Sequence, residues 1–466
     1  MDKRIEMIQN QLSGNSDFII RKIEVNLGRV YLLFLNTICD NNFISDSIIK
    51  SIIENKDDIK DTEQIKDKII THTDINYIYS LDEALTYILT GNTIIMFSFS
   101  KDILYCSTRK IEERSIEIPP SETVIKGPRE GFTESIKTNI SLIRRRVVNS
   151  SLKCEELLLG EDTITKIAII YIEGNAPKSL VSQVKRRITS INHKYVQESN
   201  YIGECLQDKP SVFDTIGYTE KPDDLVAKIQ GGKIGIIVDG DPFAITVPFF
   251  FIENFHSPSD HSLNRYIANY FRLIRWVGMA ISLLLPAIYI ALTTYHFNLI
   301  PPLFVFRLAI ARAGVPFPIY LEILLMMFFF QILREASLRL PQSIAQTISI
   351  VGALILGDTA VKSGLASTIS ILLVALTSLS AFLTPSIFGS ISIWTDILII
   401  FASLLGLPGF FVGFLLFLSH IASLTSCGYP YLYPIGTKDK VQYKDRILRP
   451  KINNLPDSIN NEDEMQ

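Results

Sequence analysis

The chain has 466 residues, a net charge of −3 and five cysteines without paired spacing, which gives no ground for a nucleic-acid partner, a disulfide framework or a zinc site. Only nine of its charged residues fall among the 152 positions 276–427, whereas the other 314 positions carry 84. That asymmetry excludes a protein that is soluble throughout, and the long apolar runs without two-residue alternation exclude a membrane barrel.

The opening MDKRIEMIQNQLSG carries no apolar stretch of signal-peptide type, so the hydrophilic residues up to about 270 are expected to stay in the cytoplasm. The expected architecture is an α/β two-lobed soluble N-terminal region followed by an all-α polytopic transmembrane bundle. Its expected divisions are a first cytoplasmic lobe at 1–115, a second at 116–270, a helical membrane region of four to six crossings at 271–427, and a cytoplasmic tail at 428–466. The second lobe begins with a linker and the GPREGF segment. The acidic, Asn-rich end of the tail should be disordered.

Residues 80–107 predict a capped helix, a glycine stop and two short strands, and residues 222–248 repeat that order. Aligning Gly91 with Gly232 brings the two turns into register. Within 126–147, KGPREGFTESIKTNISLIRRRV, glycines break the chain and Thr133 is placed to cap a helix. Ile136, Ile140, Ile143 and Val147 line one face of that helix, and Arg144, Arg145 and Arg146 fall in its last turn. Either they form a solvated helix end or, with Arg129, they contact another subunit or anionic lipid. KIAIIYIE at 166–173 predicts a strand, and a helix follows from Pro177. Asp239-Gly240-Asp241-Pro242 between apolar runs is a hairpin signal rather than a phosphatase site. With no phosphate loop, zinc spacing or nucleophile elbow, neither cofactor nor enzymatic activity is expected.

Arg265, Arg272 and Arg275 precede the first apolar run and mark its cytoplasmic side. Spans are expected at 276–295, 344–361, 364–384 and 397–421, with 319–333 re-entrant or interfacial. Gly406-Leu407-Pro408-Gly409 can break the last run into a hairpin. Gln342, Gln346, Ser349, Ala353 and Gly357 recur at spacings of three or four and form one small, polar stripe, which suits tight helix packing or a pore lining. Intramembrane charge is expected at Glu322, Glu335 and Asp358, with Arg312, Arg334 or Arg339 as partners for the glutamates.

Taken in order, GPREGFTESIKTNISLIRRRV, YTEKPD at 218–223, VDGDPF at 238–243, RLIRW…LLLPAIYIALTTYH and GVPFPIYLEILLM resemble the GerA-type spore germination proteins, specifically the A subunit of germinant receptors. The resemblance covers the chain from about residue 80 to 434; Lys221 and Asp241 depart mildly from the family pattern. It implies a protein of the inner spore membrane that works with a transporter-like B subunit and a lipoprotein C subunit, senses nutrients, and forms a homo-oligomeric ring that conducts ions. A stand-alone solute or ion transporter and a non-conducting membrane scaffold are the competing readings.

Overall fold

The computed structural model describes residues 3–110, 126–341, 352, 357–435 and 447–449. Helix α1 (Lys3–Gln11) leads into a hairpin of β1 (Phe18–Val25) and β2 (Gly28–Leu35). Strand β2 is buried from Val30 to Leu35, as an apolar run in the middle of a sheet should be. Short helical turns at 41–54 and 62–69 come next, then β3 (Ile75–Ile78), helix α2 (Leu81–Leu89), β4 (Thr93–Phe97) and β5 (Ile103–Cys106). These strands pair antiparallel in the order β1-β2-β4-β5-β3.

The same plan follows a second time. Helix α3 (Ile136–Arg146) precedes a hairpin of β6 (Leu152–Leu159) and β7 (Thr165–Ile172). Two helices, α4 (Lys178–Thr189) and α5 (Ser199–Leu206), replace the short turns. Then come β8 (Gly217–Thr219), α6 (Pro222–Gln230), β9 (Ile234–Val238) and β10 (Ala244–Val247). The second sheet runs β6-β7-β9-β10-β8, strand for strand the order of the first.

The expected alignment of the two glycines is met in detail. Gly91 and Gly232 have φ of +94° and +90°, a conformation that side chains with a Cβ adopt at a cost. Each is followed by an amide that reaches back five residues: Asn92 N–H donates to the Tyr87 carbonyl at 3.0 Å, and Lys233 N–H to the Lys228 carbonyl at 3.2 Å. Both helices therefore end in the glycine-stopped C-cap that satisfies otherwise orphaned carbonyls.

The helical region begins with α7 (Arg265–Tyr295), 31 residues with Pro286 buried inside it. It continues through α8 (Pro302–Ala311), α9 (Ile319–Arg339), α10 (Thr368–Ala381), α11 (Phe388–Leu405) and α12 (Leu407–Ser423). Helix α7 packs against α10 and α11, and α11 packs antiparallel-fashion beside α12 across the turn between them. Two stretches, Arg265–Tyr295 and Pro385–Leu405, are long and apolar enough to cross a membrane, while α8, α10 and α12 are shorter apolar helices.

The run 397–421 breaks where the glycines allow it: it is two helices, because Gly406 turns the chain at φ +68° and Gly409 lies so near that a Cβ on it would sit 2.1 Å from the Phe401 carbonyl oxygen. Two expectations need correction. Within 364–384 only the 14 residues of α10 are helical, about 21 Å of rise, short of a roughly 30 Å hydrocarbon core. Thr133 is not the cap of α3; Ser135 is, while Thr133 bonds the Asn139 side chain through both its amide and its hydroxyl.

The first lobe has a core of its own, drawn from residues 5–106. The second lobe shares its interior. Cys427, Tyr429 and Tyr433, which follow α12, pack into it, and its Phe213, Phe249, Phe251 and Phe255 pack among residues of the helices.

Candidate functional site

The segments that carry the sequence resemblance come together in the second lobe. Asp239 Oδ1 accepts the Ile136 amide at 3.0 Å, so the hairpin turn caps α3. Gly240 N–H donates to the Glu134 carbonyl at 2.7 Å, and Phe132 N–H to the Glu220 carbonyl at 2.7 Å. Asp241 accepts the Ser199 amide at 2.6 Å and the Phe243 amide at 2.9 Å, so both aspartates serve turns and helix starts. Among the described residues no group of three or more His, Cys, Asp or Glu is placed to hold a metal.

Helix α3 presents the face expected of it: Ile136, Ile140, Ile143 and Val147 are all buried. Its three arginines divide by direction. Arg144 turns inward with Ile140, four residues before it, and pairs with Asp17 of the first lobe through Nε at 2.7 Å and Nη2 at 2.5 Å. Nη2 also reaches Asn15 Oδ1 at 2.9 Å, and both charged side chains are 2% exposed or less. Arg144 is thus the buried rivet between lobes and presents no surface to lipid or to a second subunit. Arg145 and Arg146 both grip Glu130. Burial opposes the charge on Glu130, but these two guanidinium groups win and hold its carboxyl below the usual range. Arg129 is exposed.

Two strips of the second lobe grasp the helices. One is the loop 207–216. There Lys209 Nζ donates to the Ser423 carbonyl at 2.9 Å, Ser211 Oγ lies 3.0 Å from His420 Nε2, and Ser390 Oγ donates to the Val212 carbonyl. Phe213 fills the space between, edge-on to Phe251 and Phe417. The other strip leads into α7. Asp260, fully buried, accepts Arg272 Nε at 2.9 Å and both terminal nitrogens of Arg275 at 2.8 and 2.9 Å. Burial works against its charge, yet Arg275 and Arg272 keep the Asp260 carboxyl below its ordinary value. Trp276 stacks on Phe255 with centroids 3.8 Å apart. Arg449, 2% exposed, closes the group by donating to the Asp260 and Leu263 carbonyls at 2.7 and 2.9 Å. Arg272 and Arg275, read from sequence as markers of membrane side, are structural anchors here. The Ser257-Pro258-Ser259-Asp260 spacing of a capping box was the available signal, and that box is formed.

A model described as Bacillus/Clostridium GerA spore germination protein matches residues 6–458. The chain belongs to the GerA family. It is 34% identical over 476 residues to spore germination protein KA of Bacillus subtilis (strain 168), covering 100% of this chain and 87% of that protein. It is 32% identical to the uncharacterized membrane protein YfkQ of the same organism, over 96% of this chain and 88% of that one. The crystal structure of the N-terminal domain of the A subunit of the Bacillus megaterium spore germinant receptor GerK3 aligns at a TM-score of 0.41 and 25% identity, over 53% of this chain and 94% of that one.

The remaining candidates of this GerA-family chain lie in its helical region. Glu322 is fully buried and sits 3.5 Å from Arg312, one of its expected partners. Glu335 pairs with Arg339 at 2.6 Å, also as expected, and Asp358 with Lys362 at 2.6 Å; both pairs are exposed and one helical turn apart. Arg334 stands over the Phe388 ring and pairs with no carboxylate among the described residues. Gly357 is half-buried, and among the described residues outside its own helix backbone no atom lies within 4 Å of where its Cβ would be. Gln342, Gln346, Ser349 and Ala353 lie outside the described residues.

Proposed function

We propose that this GerA-family chain is the A subunit of a spore nutrient-germinant receptor in the inner spore membrane, where it works with a transporter-like B subunit and a lipoprotein C subunit. Several copies assemble in a ring, and nutrient binding opens an ion path through their helices that triggers germination. The observation that carries the membrane part is the exterior of the helical region: Leu372 is 70% exposed, Leu303 69%, Leu404 65% and Phe306 64%, on helices that bury other apolar faces inside. So much outward apolar surface is stable against lipid or a like neighbour, not against water.

The return of the chain supports both termini lying on one side. Phe249 N–H donates to Ser426 Oγ at 2.9 Å, and Phe251 N–H to the Tyr431 carbonyl at 2.9 Å, so the segments before α7 and after α12 are bonded together. An even number of crossings follows, with lobes and C-terminal segment in the cytoplasm. The pore lining is assigned to the stripe Gln342, Gln346, Ser349, Ala353 and Gly357.

The test is electrical. Receptor complex in lipid vesicles should pass cation current when its nutrient is added, and bulky replacements at Gly357 or Ala353 should reduce it. A silent complex under activating nutrient would leave the scaffold reading in its place.

A further inference from the structure

Two non-helical stretches of the helical region lie against each other. One covers 312–318, between α8 and α9, and the other 363–367, before α10. A Cβ built on Gly364 would be 3.0 Å from the Gly314 carbonyl oxygen, so the two backbones nearly touch. Irregular backbone at membrane depth persists only where protein covers it or where it lines a polar cavity. Glu322, in the first turn of α9, is the charged group set at this place.

Its two oxygens are treated differently. Oε1 accepts the Ser367 amide at 2.5 Å, and the Ser367 hydroxyl donates to Ser370 Oγ at 3.0 Å. Oε2 is buried and takes no hydrogen bond among the described residues. Arg312 approaches it with Nε at 3.5 Å, but that N–H makes no hydrogen bond either, and the side chain spends Nη2 on the Phe317 carbonyl at 2.9 Å. Tyr289 Oη is buried, takes no hydrogen bond among the described residues, and lies near Ser370, Glu322 and Arg312. The contrast with the rivet between the lobes is plain: there the guanidinium docks through two short bonds, and here it stands off. Buried charge is tolerated when paired and hydrogen-bonded, and this carboxylate is only half so.

We propose that Glu322 Oε2, with the oxygens of Tyr289, Ser367 and Ser370, forms a site for a monovalent alkali cation, and that Arg312 is a tethered cation competing for the same carboxylate. One negative charge among neutral oxygens balances one positive charge, whereas a divalent ion draws more carboxylates around it. The Arg312 side chain is 23% exposed and anchored by one carbonyl, so it can leave without unpacking the core. For its role the inference rests on the channel reading: an ion held at Glu322 when Arg312 withdraws is an ion on the conduction path, and the return of Arg312 closes it.

Binding is measured apart from conduction, on the full-length purified chain, as the unfolding midpoint in potassium or sodium chloride against choline chloride at equal ionic strength. Arg312→Gln should be stabilised saturably by the alkali ions, with an apparent affinity about ten-fold tighter than wild type once its competitor is gone. Glu322→Gln should abolish the difference between salts, and Tyr289→Phe should weaken it in the wild-type background. Equal midpoints in all salts for Arg312→Gln, or a surviving salt difference in Glu322→Gln, would overturn the proposal. If Arg312→Gln does not fold, an unchanged salt difference in Tyr289→Phe overturns it equally. A wild-type complex without current defeats the channel reading and leaves the cation-dependent midpoint standing. A conducting complex whose midpoint ignores the alkali ions defeats the site alone.

Discussion

The two soluble lobes share one strand order, yet among the described residues it is the second that is fastened to the helices. The first lobe encloses its own core and meets the rest through the loop after α1. There Ser16 N–H donates to the Cys154 carbonyl at 2.9 Å, Glu156 N–H to Ser16 Oγ at 2.8 Å, and Arg144 crosses to Asp17. The second lobe gives loop 207–216 and residues 249–260 to the helices and receives residues 424–433 in return. Topology is therefore a poor guide to mechanical role.

The contrast breaks most directly at Asp260. Asp260→Ala strands Arg272 and Arg275 in the interior, so a loss of about 3–5 kcal/mol is expected, read as a drop in the unfolding midpoint of the detergent-purified chain. If the second lobe and the helices are one cooperative unit, probes in both fall together. Separate transitions would show that the fastening is weaker than described.

Arg144→Ala leaves Asp17 buried and unpaired, with an expected cost of about 3 kcal/mol. Its signature differs. Hydrogen exchange should rise along residues 11–17 and at the edge strand β6, while the helices stay protected. Exchange that rises in α7 as well would erase the distinction between the lobes. Gly406→Ala should cost about 1–3 kcal/mol, because φ +68° with ψ −138° is a glycine conformation and a Cβ there would lie 2.9 Å from Tyr295 Cβ. This loss should appear in helix protection alone and spare both lobes.

Acid offers a gentler probe. Asp260 and Glu130 have carboxyl groups held below their ordinary values, so their stabilising contributions are complete above the unfolded carboxyl range near about pH 4 and disappear as pH falls through the lower folded values. An unfolding midpoint followed from neutral pH to about 3 should be level at first and then fall, and Asp260→Asn should flatten that fall. The smallest effect is expected from Lys362→Ala, since its pair with Asp358 is exposed on both sides and worth under about 0.5 kcal/mol. A larger loss would mean that this helix surface is covered by another surface.

Local signals were the ones that could be read from sequence. The Gly91 and Gly232 stops, the buried isoleucine face of α3, the Asp239 turn and the break at Gly406 each depend on residues a few positions apart, and each is present. Long-range pairing was hidden. Arg144 shares the α3 face of Ile140, which places it inward, but nothing nearby in sequence indicates Asp17, 127 residues away. In the same way Arg272 and Arg275 look like residues stopping at a membrane surface until Asp260 is seen between them. The run 364–384 is unbroken as a list of apolar residues, because apolarity records the surroundings and not the path of the backbone. The Glu322 carboxylate stands out in the sequence by its charge, whereas the unequal use of its two oxygens depends on Ser367 and Arg312, which the fold brings to it.

The shared interior of the second lobe also fixes an order of events during synthesis. Its sheet is complete when residue 247 has been made, but Cys427, Tyr429 and Tyr433 belong to the same apolar interior and leave the ribosome some 180 residues later. Until then that lobe has an open seam, while the first lobe can close as soon as residue 106 emerges. The nascent chain thus carries one finished domain and one waiting domain throughout the making of the helices, and residues 427–433, made after them, seal it.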